Sequence, residues 1–115
     1  MANSDRPVYL RLRDEIVAMI LDGRIREGDA LPSVRAFAAE QGANPLTVAK
    51  AYQSFQEDGL VTVRRGVGMF VDAGAADRMR RAARANFLNE EWPEIASRIQ
   101  RLGIDPADLM DRVPG

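Results

Sequence analysis

The fold of this chain is decided by residues 31–71, which read LPSVRAFAAEQGANPLTVAKAYQSFQEDGLVTVRRGVGMFV. Apolar residues recur at helical spacing in two short segments of this stretch, and a Gly-Ala-Asn-Pro turn separates them. Two segments rich in valine and phenylalanine follow, joined by a tip that reads Arg-Arg-Gly-Val-Gly. The stretch therefore predicts a helix pair and a two-stranded ribbon with a basic tip, which is the outline of a winged helix-turn-helix.

Capping residues set the bounds of the two helices. Ser33 is a good N-cap for the first helix, which is predicted to end at Gly42. Asn44 is predicted to cap the second helix and Pro45 to occupy its first turn, so that this helix runs to about residue 58. The second helix then stands where a recognition helix stands in this architecture.

This second helix has one apolar face and one open face. The residues predicted to be buried recur at helical spacing: Val48, Ala51, Tyr52 and Phe55. Leu46, Thr47 and Lys50 fall outside this set, where a recognition helix carries the side chains that meet base edges. Tyr52 and Phe55 are therefore expected in the core rather than stacked on bases.

Residues 60–64 and 69–72 are the predicted strands of the ribbon, because they are rich in residues that favour strands. Gly66 and Gly68 allow the tight turn between them. Residues 30–31 are candidates for a very short third strand.

Charge is distributed unevenly along a chain whose net charge is only −1. Lys50 is the only charged residue from residue 41 to residue 56, and Arg64 and Arg65 are the only ones from residue 59 to residue 71. Because neighbouring strand residues point to opposite faces, at most one of the two arginines faces DNA directly, and we favour Arg65. A locally cationic surface on a nearly neutral protein is therefore expected, as nucleic acid requires.

The chain contains no cysteine and no histidine. Disulfides, thiol chemistry, histidine acid–base chemistry and the usual zinc ligands are excluded, and no pair of acids lies on a credible catalytic scaffold. We expect a protein that is not an enzyme and uses no metal or cofactor. No apolar run is long enough to span a membrane, and the N-terminus has no apolar secretion segment, so we expect a cytoplasmic protein.

A first helix is predicted from residue 7 to residue 22, and one apolar stripe runs along it: Tyr9, Leu12, Ile16, Met19 and Ile20. Arg11 and Arg13 lie away from the centre of this stripe. Each is either solvated or in contact with phosphate.

The region after residue 73 has a different composition and is predicted to be helical from residue 77 to residue 88. Three of its arginines share one helical face with Asp77: Arg80, Arg81 and Arg84. This basic stripe is either a solvated helix face, with Asp77 as a partner, or a second phosphate contact beside the wing.

Further along, apolar residues repeat at a spacing of 4, 3, 4 and 3, which suits packing against another helix: Leu88, Trp92, Ile95, Ile99 and Leu102. Pro93 either kinks one helix here or separates two, with Asn89 as the cap of the second. Asp105 is predicted to cap a last short helix. We therefore divide the chain into a DNA-binding domain, residues 1–72, and a helical dimerisation arm, residues 73–115.

Four runs in the first 72 residues resemble the GntR family of bacterial transcription regulators: Leu31-Pro32-Ser33-Val34-Arg35, Asn44-Pro45-Leu46-Thr47-Val48, Gly59-Leu60-Val61 and Arg65-Gly66-Val67-Gly68-Met69-Phe70-Val71. The short tail and the Asn-Pro before the recognition helix resemble the YtrA subfamily, whose C-terminal part is a small helical dimerisation arm. Leu46 departs from the polar or basic residue that the family often has, and Met69 from the more usual threonine. Leu46 then either contacts a thymine methyl group or contributes nothing.

The resemblance implies a homodimer on a roughly palindromic operator. It implies that Arg35 contacts a base or a phosphate and that Lys50 lies in or beside the major groove. It further implies phosphate contacts for three residues: Ser33, Asn44 and Thr47. The wing residues Arg65 and Gly66 would enter or border the minor groove.

We expect an α+β, mainly helical protein: a winged helix-turn-helix with a C-terminal helical dimerisation arm. Its expected function is that of a sequence-specific DNA-binding transcriptional regulator, a repressor that occludes its operator. The alternative is a winged-helix module whose surface binds another protein. Any small-molecule effector is expected between subunits, because an arm of about 40 residues is too short to enclose a pocket by itself.

Overall fold

The computed structural model describes residues 6–114 of the chain. Residues 1–5, which belong to the N-terminus considered for secretion, and residue 115 lie outside the described residues. The elements follow in this order: α1 Val8–Leu21, α2 Val34–Gln41, α3 Pro45–Glu57, β1 Val61–Arg64, β2 Gly68–Val71, α4 Ala75–Asn86, a π-helical segment Phe87–Glu91, α5 Trp92–Leu102 and α6 Pro106–Met110. The fold is the expected one, mainly helical with a small two-stranded antiparallel sheet.

The core of the helix-turn-helix is built where the apolar faces of α1, α2 and α3 meet. Its largest fully buried side chains come from all three helices and from β2: Ile16, Phe37, Val48, Phe55 and Val71. Helical spacing predicts the inward direction of the four helical residues among them. Burial of a side chain of this size contributes about 1.5–3 kcal/mol, so the packing of α3 on α1 and α2 stabilises the whole unit.

Both predicted caps of the helix-turn-helix are present. The hydroxyl oxygen of Ser33 accepts a hydrogen bond from the Ala36 N–H at 3.1 Å, and Oδ1 of Asn44 accepts one from the Leu46 N–H at 2.8 Å. Gly42 ends α2 with φ of 63°, a left-handed conformation that costs glycine little. The turn between α2 and α3 is therefore specified by local sequence.

The wing is the antiparallel ribbon of β1 and β2, in which Val61 faces Val71 and Arg64 faces Gly68. Ala30 forms an isolated antiparallel bridge with Phe70, which confirms the predicted short addition to the ribbon. Pairing on this side protects the edge of β2 from solvent.

Helix α4 begins inside the first of two compact units, Met1–Arg80 and Arg81–Gly115. Ala75 and Met79 are buried with the core of the first unit. The Glu27 carboxylate accepts hydrogen bonds from the Gly74 N–H at 2.9 Å and the Ala76 N–H at 3.2 Å, so it caps the start of α4. The first compact unit therefore includes the start of α4.

In the second unit, helical backbone continues through residue 93, and a π-helical segment ends two residues before Pro93. The Trp92 N–H bonds to the Phe87 carbonyl, five residues back. Proline has no N–H to donate and its ring crowds the carbonyl four residues earlier, so a widened turn accommodates it. Of the two arrangements considered for Pro93, the structure has the irregular continuous helix, and Asn89 lies inside it rather than capping a new one.

Asp105 caps α6 as predicted, its carboxylate accepting a hydrogen bond from the Ala107 N–H at 3.0 Å. Among residues 6–114, no helix has both the length and the apolar character needed to cross a lipid bilayer.

Candidate nucleic-acid interface

Helix α3 is buried on one side and open on the other. Its inward residues are those predicted: Val48, Ala51, Tyr52 and Phe55. On the opposite side Leu46 is 79% exposed, Lys50 is exposed and Thr47 is half-buried. The side of α3 that faces away from the core is therefore open and available for contact with another molecule.

Tyr52 fixes α3 relative to the segment that leads into α2. Its hydroxyl donates a hydrogen bond to the Pro32 carbonyl at 2.8 Å, and its ring packs 6.2 Å from that of Phe37. Burial raises the pKa of the Tyr52 phenol, and the nearby negative charge of Glu40 raises it further. The phenol therefore stays protonated and remains a donor that holds the two helices at one angle.

The side chains predicted to contact DNA from the helix ends are exposed: Ser33 and Arg35 at the start of α2, and Asn44 before α3. Ser33 and Asn44 use one side-chain oxygen each for capping. Phosphate contact needs a donor, and both residues keep one, in the hydroxyl hydrogen and the amide NH₂. Capping and phosphate contact are therefore compatible at both positions.

Lys50 has a defined neighbour on α1. Its Nζ lies 4.3 Å from the centroid of the Tyr9 ring, within the range of a cation–π interaction. The interaction holds the ammonium group of Lys50 beside α1, and the residue remains exposed.

The tip of the wing carries Arg65, Gly66 and Val67, all exposed. The turn is closed by a hydrogen bond from the Val67 N–H to the Arg64 carbonyl at 2.9 Å, and Gly66 has φ of 76°. The Arg64 guanidinium lies over the Phe70 ring at 4.4 Å and is thereby drawn back onto the ribbon. The two wing arginines therefore differ, and Arg65 is the one at the free tip.

Among the described residues, the basic side chains of this candidate interface form no ion pairs with acidic side chains. Within residues 6–114, every ion pair with an aspartate or glutamate involves an arginine elsewhere: Arg6, Arg13, Arg24 and Arg80. The described carboxylates therefore do not neutralise Arg35, Lys50 or Arg65. Their charges remain available for phosphate groups.

Arg13 has a role that we did not predict, since it is neither simply solvated nor free for phosphate. It donates hydrogen bonds to the Ser54 hydroxyl and the Asp58 carboxylate, both at 2.7 Å, and lies 4.7 Å from the Phe55 ring centroid. Arg13 thus ties α1 to the last turn of α3. No local signal reveals this contact, because its partners lie 41 and 45 residues away in sequence.

Arg78 also holds the end of the recognition helix, which sequence analysis missed. Its guanidinium donates to the carbonyls of Gly59 at 2.9 Å and Asp58 at 2.7 Å, satisfying backbone acceptors left open where α3 ends. Arg80 pairs with Asp77 at 3.1 Å, the partner that helical spacing indicated. Arg81 and Arg84 are exposed.

The five apolar residues predicted to form a subunit interface belong to the second unit. Leu88, Trp92 and Leu102 are exposed, and Ile95 and Ile99 are half-buried. Within the described residues of the π-helical segment, α5 and α6, no side chain is fully buried.

Comparison with known proteins identifies the architecture. The family model described as "Bacterial regulatory proteins, gntR family" matches residues 8–71. The transcriptional regulator YhcF of Bacillus subtilis is 27% identical over 116 residues, which cover 96% of this chain and 89% of YhcF. The transcriptional repressor YtrA of the same organism is 36% identical over 72 residues, covering 63% of this chain and 55% of YtrA.

Solved structures of GntR-family regulators have a fold similar to that of this chain. A GntR-family regulator from Bacteroides thetaiotaomicron matches with a TM-score of 0.66 and 30% identity, covering 91% of each chain. The DNA-binding domain of AraR, solved in complex with its operator ORX1, matches with a TM-score of 0.56 and 25% identity over 62% of this chain and 86% of that domain. The winged helix-turn-helix of this chain and its match to residues 8–71 of the family model together show that it belongs to the GntR family of bacterial transcription regulators, with similarity to YtrA.

Proposed function

We propose that this protein is a sequence-specific repressor that binds a roughly palindromic operator as a homodimer. The observation that carries this proposal is the open face of α3, where Leu46, Thr47 and Lys50 lie within a stretch, residues 41–56, that has no acidic residue. An exposed helix of this kind fits the DNA major groove, and the wing beside it supplies a second cation.

In the proposed complex, α3 lies in the major groove with Lys50 toward bases or backbone and Leu46 toward a thymine methyl group. Arg35 contacts a guanine or a phosphate through its planar guanidinium. The phosphate contacts come from the helix ends: Ser33, Asn44 and Thr47. Arg65 and Gly66 at the wing tip follow the minor groove.

We assign self-association to the arm, through the five apolar residues already named: Leu88, Trp92, Ile95, Ile99 and Leu102. Two DNA-binding units in one dimer contact two half-sites, so a symmetric protein requires a nearly symmetric operator. Bound dimers then block transcription by occupying the site. The repressor role is supported by the similarity to YtrA, which is named a repressor, and operator binding by the similarity to AraR.

This proposal places the protein in the cytoplasm with the bacterial chromosome. If a small molecule regulates it, the space between two arms is the proposed place for that effector, since one arm is too short to surround a ligand.

Selection of bound duplexes from a random pool tests the proposal directly. We expect recovered sequences with two inverted half-sites about one helical turn or more apart. On the selected operator, Arg65→Ala should reduce the slope of log affinity against log salt by about one unit. Arg64→Ala is the matched control, because the Arg64 guanidinium is held on the Phe70 ring.

Three outcomes would contradict the proposal at different points. If no duplex is enriched and binding to DNA does not weaken with salt, the exposed face of α3 serves a protein partner instead. A selected site without inverted symmetry would reject the palindromic operator. Equal slopes for wild type and Arg65→Ala would remove the wing contact.

A further inference from the structure

The charges along α5 specify how two arms pair. We propose that α5 pairs with α5 of a second copy in antiparallel orientation, with Glu91 of each chain facing Arg98 of the other. This inference rests on the proposed homodimer and adds its orientation, its register and the residues that select the partner.

The apolar residues of α5 define which side meets the partner. Trp92, Ile95, Ile99 and Leu102 alternate at spacings of three and four residues, the pattern of a coiled-coil seam. Glu91 directly precedes Trp92, and Arg98 directly precedes Ile99, so both charges flank the same edge of the seam. Arg98 is exposed. Glu91 is half-buried, and its carboxylate accepts a hydrogen bond from the Asn86 amide at 3.1 Å.

Opposite ends of α5 carry opposite charges. Its first turn and the two residues before it are acidic, with Glu90, Glu91 and Glu94, and its last turns are basic, with Arg98 and Arg101. A parallel pair would place like charges at the same level. It would also set Glu91 and Arg98 beside Ala96 and Gly103 of the other chain, where no ion pair forms.

An antiparallel pair gives complementary contacts in one register. When Trp92 of one chain packs beside Ile95 of the other, Leu88 packs beside Ile99. In this same register Glu91 and Arg98 come opposite each other twice, once on each side of the two-fold axis. Apolar packing also allows the register in which Trp92 faces Leu102 and Ile95 faces Ile99, but that register sets the two Arg98 side chains against each other. Charge therefore selects the arrangement with Glu91 opposite Arg98, which has the symmetry that an isologous dimer requires.

Arg98 lies in the last turns of α5, where a basic residue suits the helix dipole, and Glu91 accepts a hydrogen bond from Asn86 of its own chain. A single charge reversal therefore affects one chain by itself as well as the dimer. Glu94 and Arg101 provide the matched control, since they occupy similar axial positions on α5 but lie away from the seam.

The experiment measures self-association of the full chain by sedimentation equilibrium. We expect Glu91→Arg and Arg98→Glu each to raise the dimer dissociation constant at least several-fold. An equimolar mixture of the two single variants should recover wild-type association, because both contacts of the mixed dimer are then attractive. Glu94→Arg and Arg101→Glu should stay within about twofold of wild type.

Cross-linking gives an independent test of orientation, since the chain has no cysteine of its own. A short bis-maleimide should join Glu91→Cys protein to Arg98→Cys protein in a mixture. Neither variant alone should cross-link, because identical positions lie seven residues, about 10 Å, out of register along the axis.

The outcomes separate this inference from the proposed function. A wild-type dimer that binds its operator but shows no recovery in the mixture, or that cross-links through identical positions, overturns the antiparallel register alone. A wild-type monomer overturns the proposed homodimer as well.

Discussion

Arg13 and Arg35 look alike in the sequence but have different surroundings. The Arg13 guanidinium bonds to Ser54 and Asp58 and covers the Phe55 ring. Arg35 is exposed and forms no ion pair with a carboxylate in residues 6–114. Because two of its N–H donors are bonded and its guanidinium is held at the end of α3, Arg13 is less available to DNA than Arg35.

Replacing Arg35 should weaken operator binding without unfolding the protein. We expect Arg35→Ala to cost about 1–3 kcal/mol of binding free energy, measured by footprint titration on the selected operator. Arg24→Ala is the control, because Arg24 is exposed at the end of α1 and paired with Asp22. Wild-type affinity in Arg35→Ala would remove this residue from the interface.

Because the pKa of Tyr52 is raised in the folded protein, the free energy of unfolding should fall at alkaline pH. The unfolded chain releases this phenol proton near pH 10, and the folded protein releases it only at higher pH. The stability contributed by the buried, protonated Tyr52 phenol is therefore complete below pH 10. Between the unfolded and the folded pKa, the free energy of unfolding falls by about 1.4 kcal/mol per pH unit.

Tyr52→Phe tests this pH dependence. Urea unfolding followed by circular dichroism should show a smaller loss of stability above pH 10 in the variant than in wild type. At pH 7 the variant should be about 1 kcal/mol less stable, because the Pro32 carbonyl loses its donor. Identical slopes in the two proteins would show that Tyr52 does not cause the effect.

At the scale of elements, the start of α3 has two roles that can be separated. Asn44 caps the helix through Oδ1 and is proposed to contact phosphate through its NH₂ group. The two roles differ in charge preference, since a cap tolerates a carboxylate and a phosphate contact does not.

We expect Asn44→Asp to keep stability within about 0.5 kcal/mol of wild type, because the carboxylate still accepts the Leu46 N–H. Operator affinity should fall by about tenfold or more through repulsion of phosphate. Asn44→Ser, which caps without charge, controls for the change of side chain. If Asn44→Asp binds the operator as wild type does, Asn44 is a cap and nothing more.

At the scale of the whole molecule, the two units have different kinds of surface. In the first, apolar residues from three helices and the ribbon share one core. In the described residues of the second, apolar side chains are half-buried at most, and Trp92 is 43% exposed. Exposed apolar residues in a row along a helix indicate contact with another molecule.

Trp92→Ala should therefore lower the sedimentation mass toward that of a monomer and weaken operator binding at low protein concentration. Tryptophan anchors of this kind dominate interface energetics. Leu46→Ala is the control, because it alters the proposed DNA surface and should leave the mass unchanged. If Trp92→Ala remains a dimer, the dimer interface does not depend on Trp92 and lies elsewhere.

Much of the first unit follows from the sequence alone, because its signals are local. The caps at Ser33 and Asn44 act within three residues, and helical spacing identifies the buried face of α3. The exposed face of α3 follows from the same spacing, and the wing tip follows from the glycines between two strand-like segments. Local hydrogen bonds and side-chain direction are encoded by neighbours in sequence, so a single sequence is enough to predict them.

Only the tertiary structure decides which charged side chains form hydrogen bonds within the protein. Arg13 bonds to Asp58, Arg78 to the carbonyls that end α3, and Glu27 to the amides that begin α4. Each of these contacts joins residues far apart in sequence. The sequence near a surface arginine does not indicate which distant group it will contact. Only packing α1 and the start of α4 against α3 brings these partners within hydrogen-bond distance.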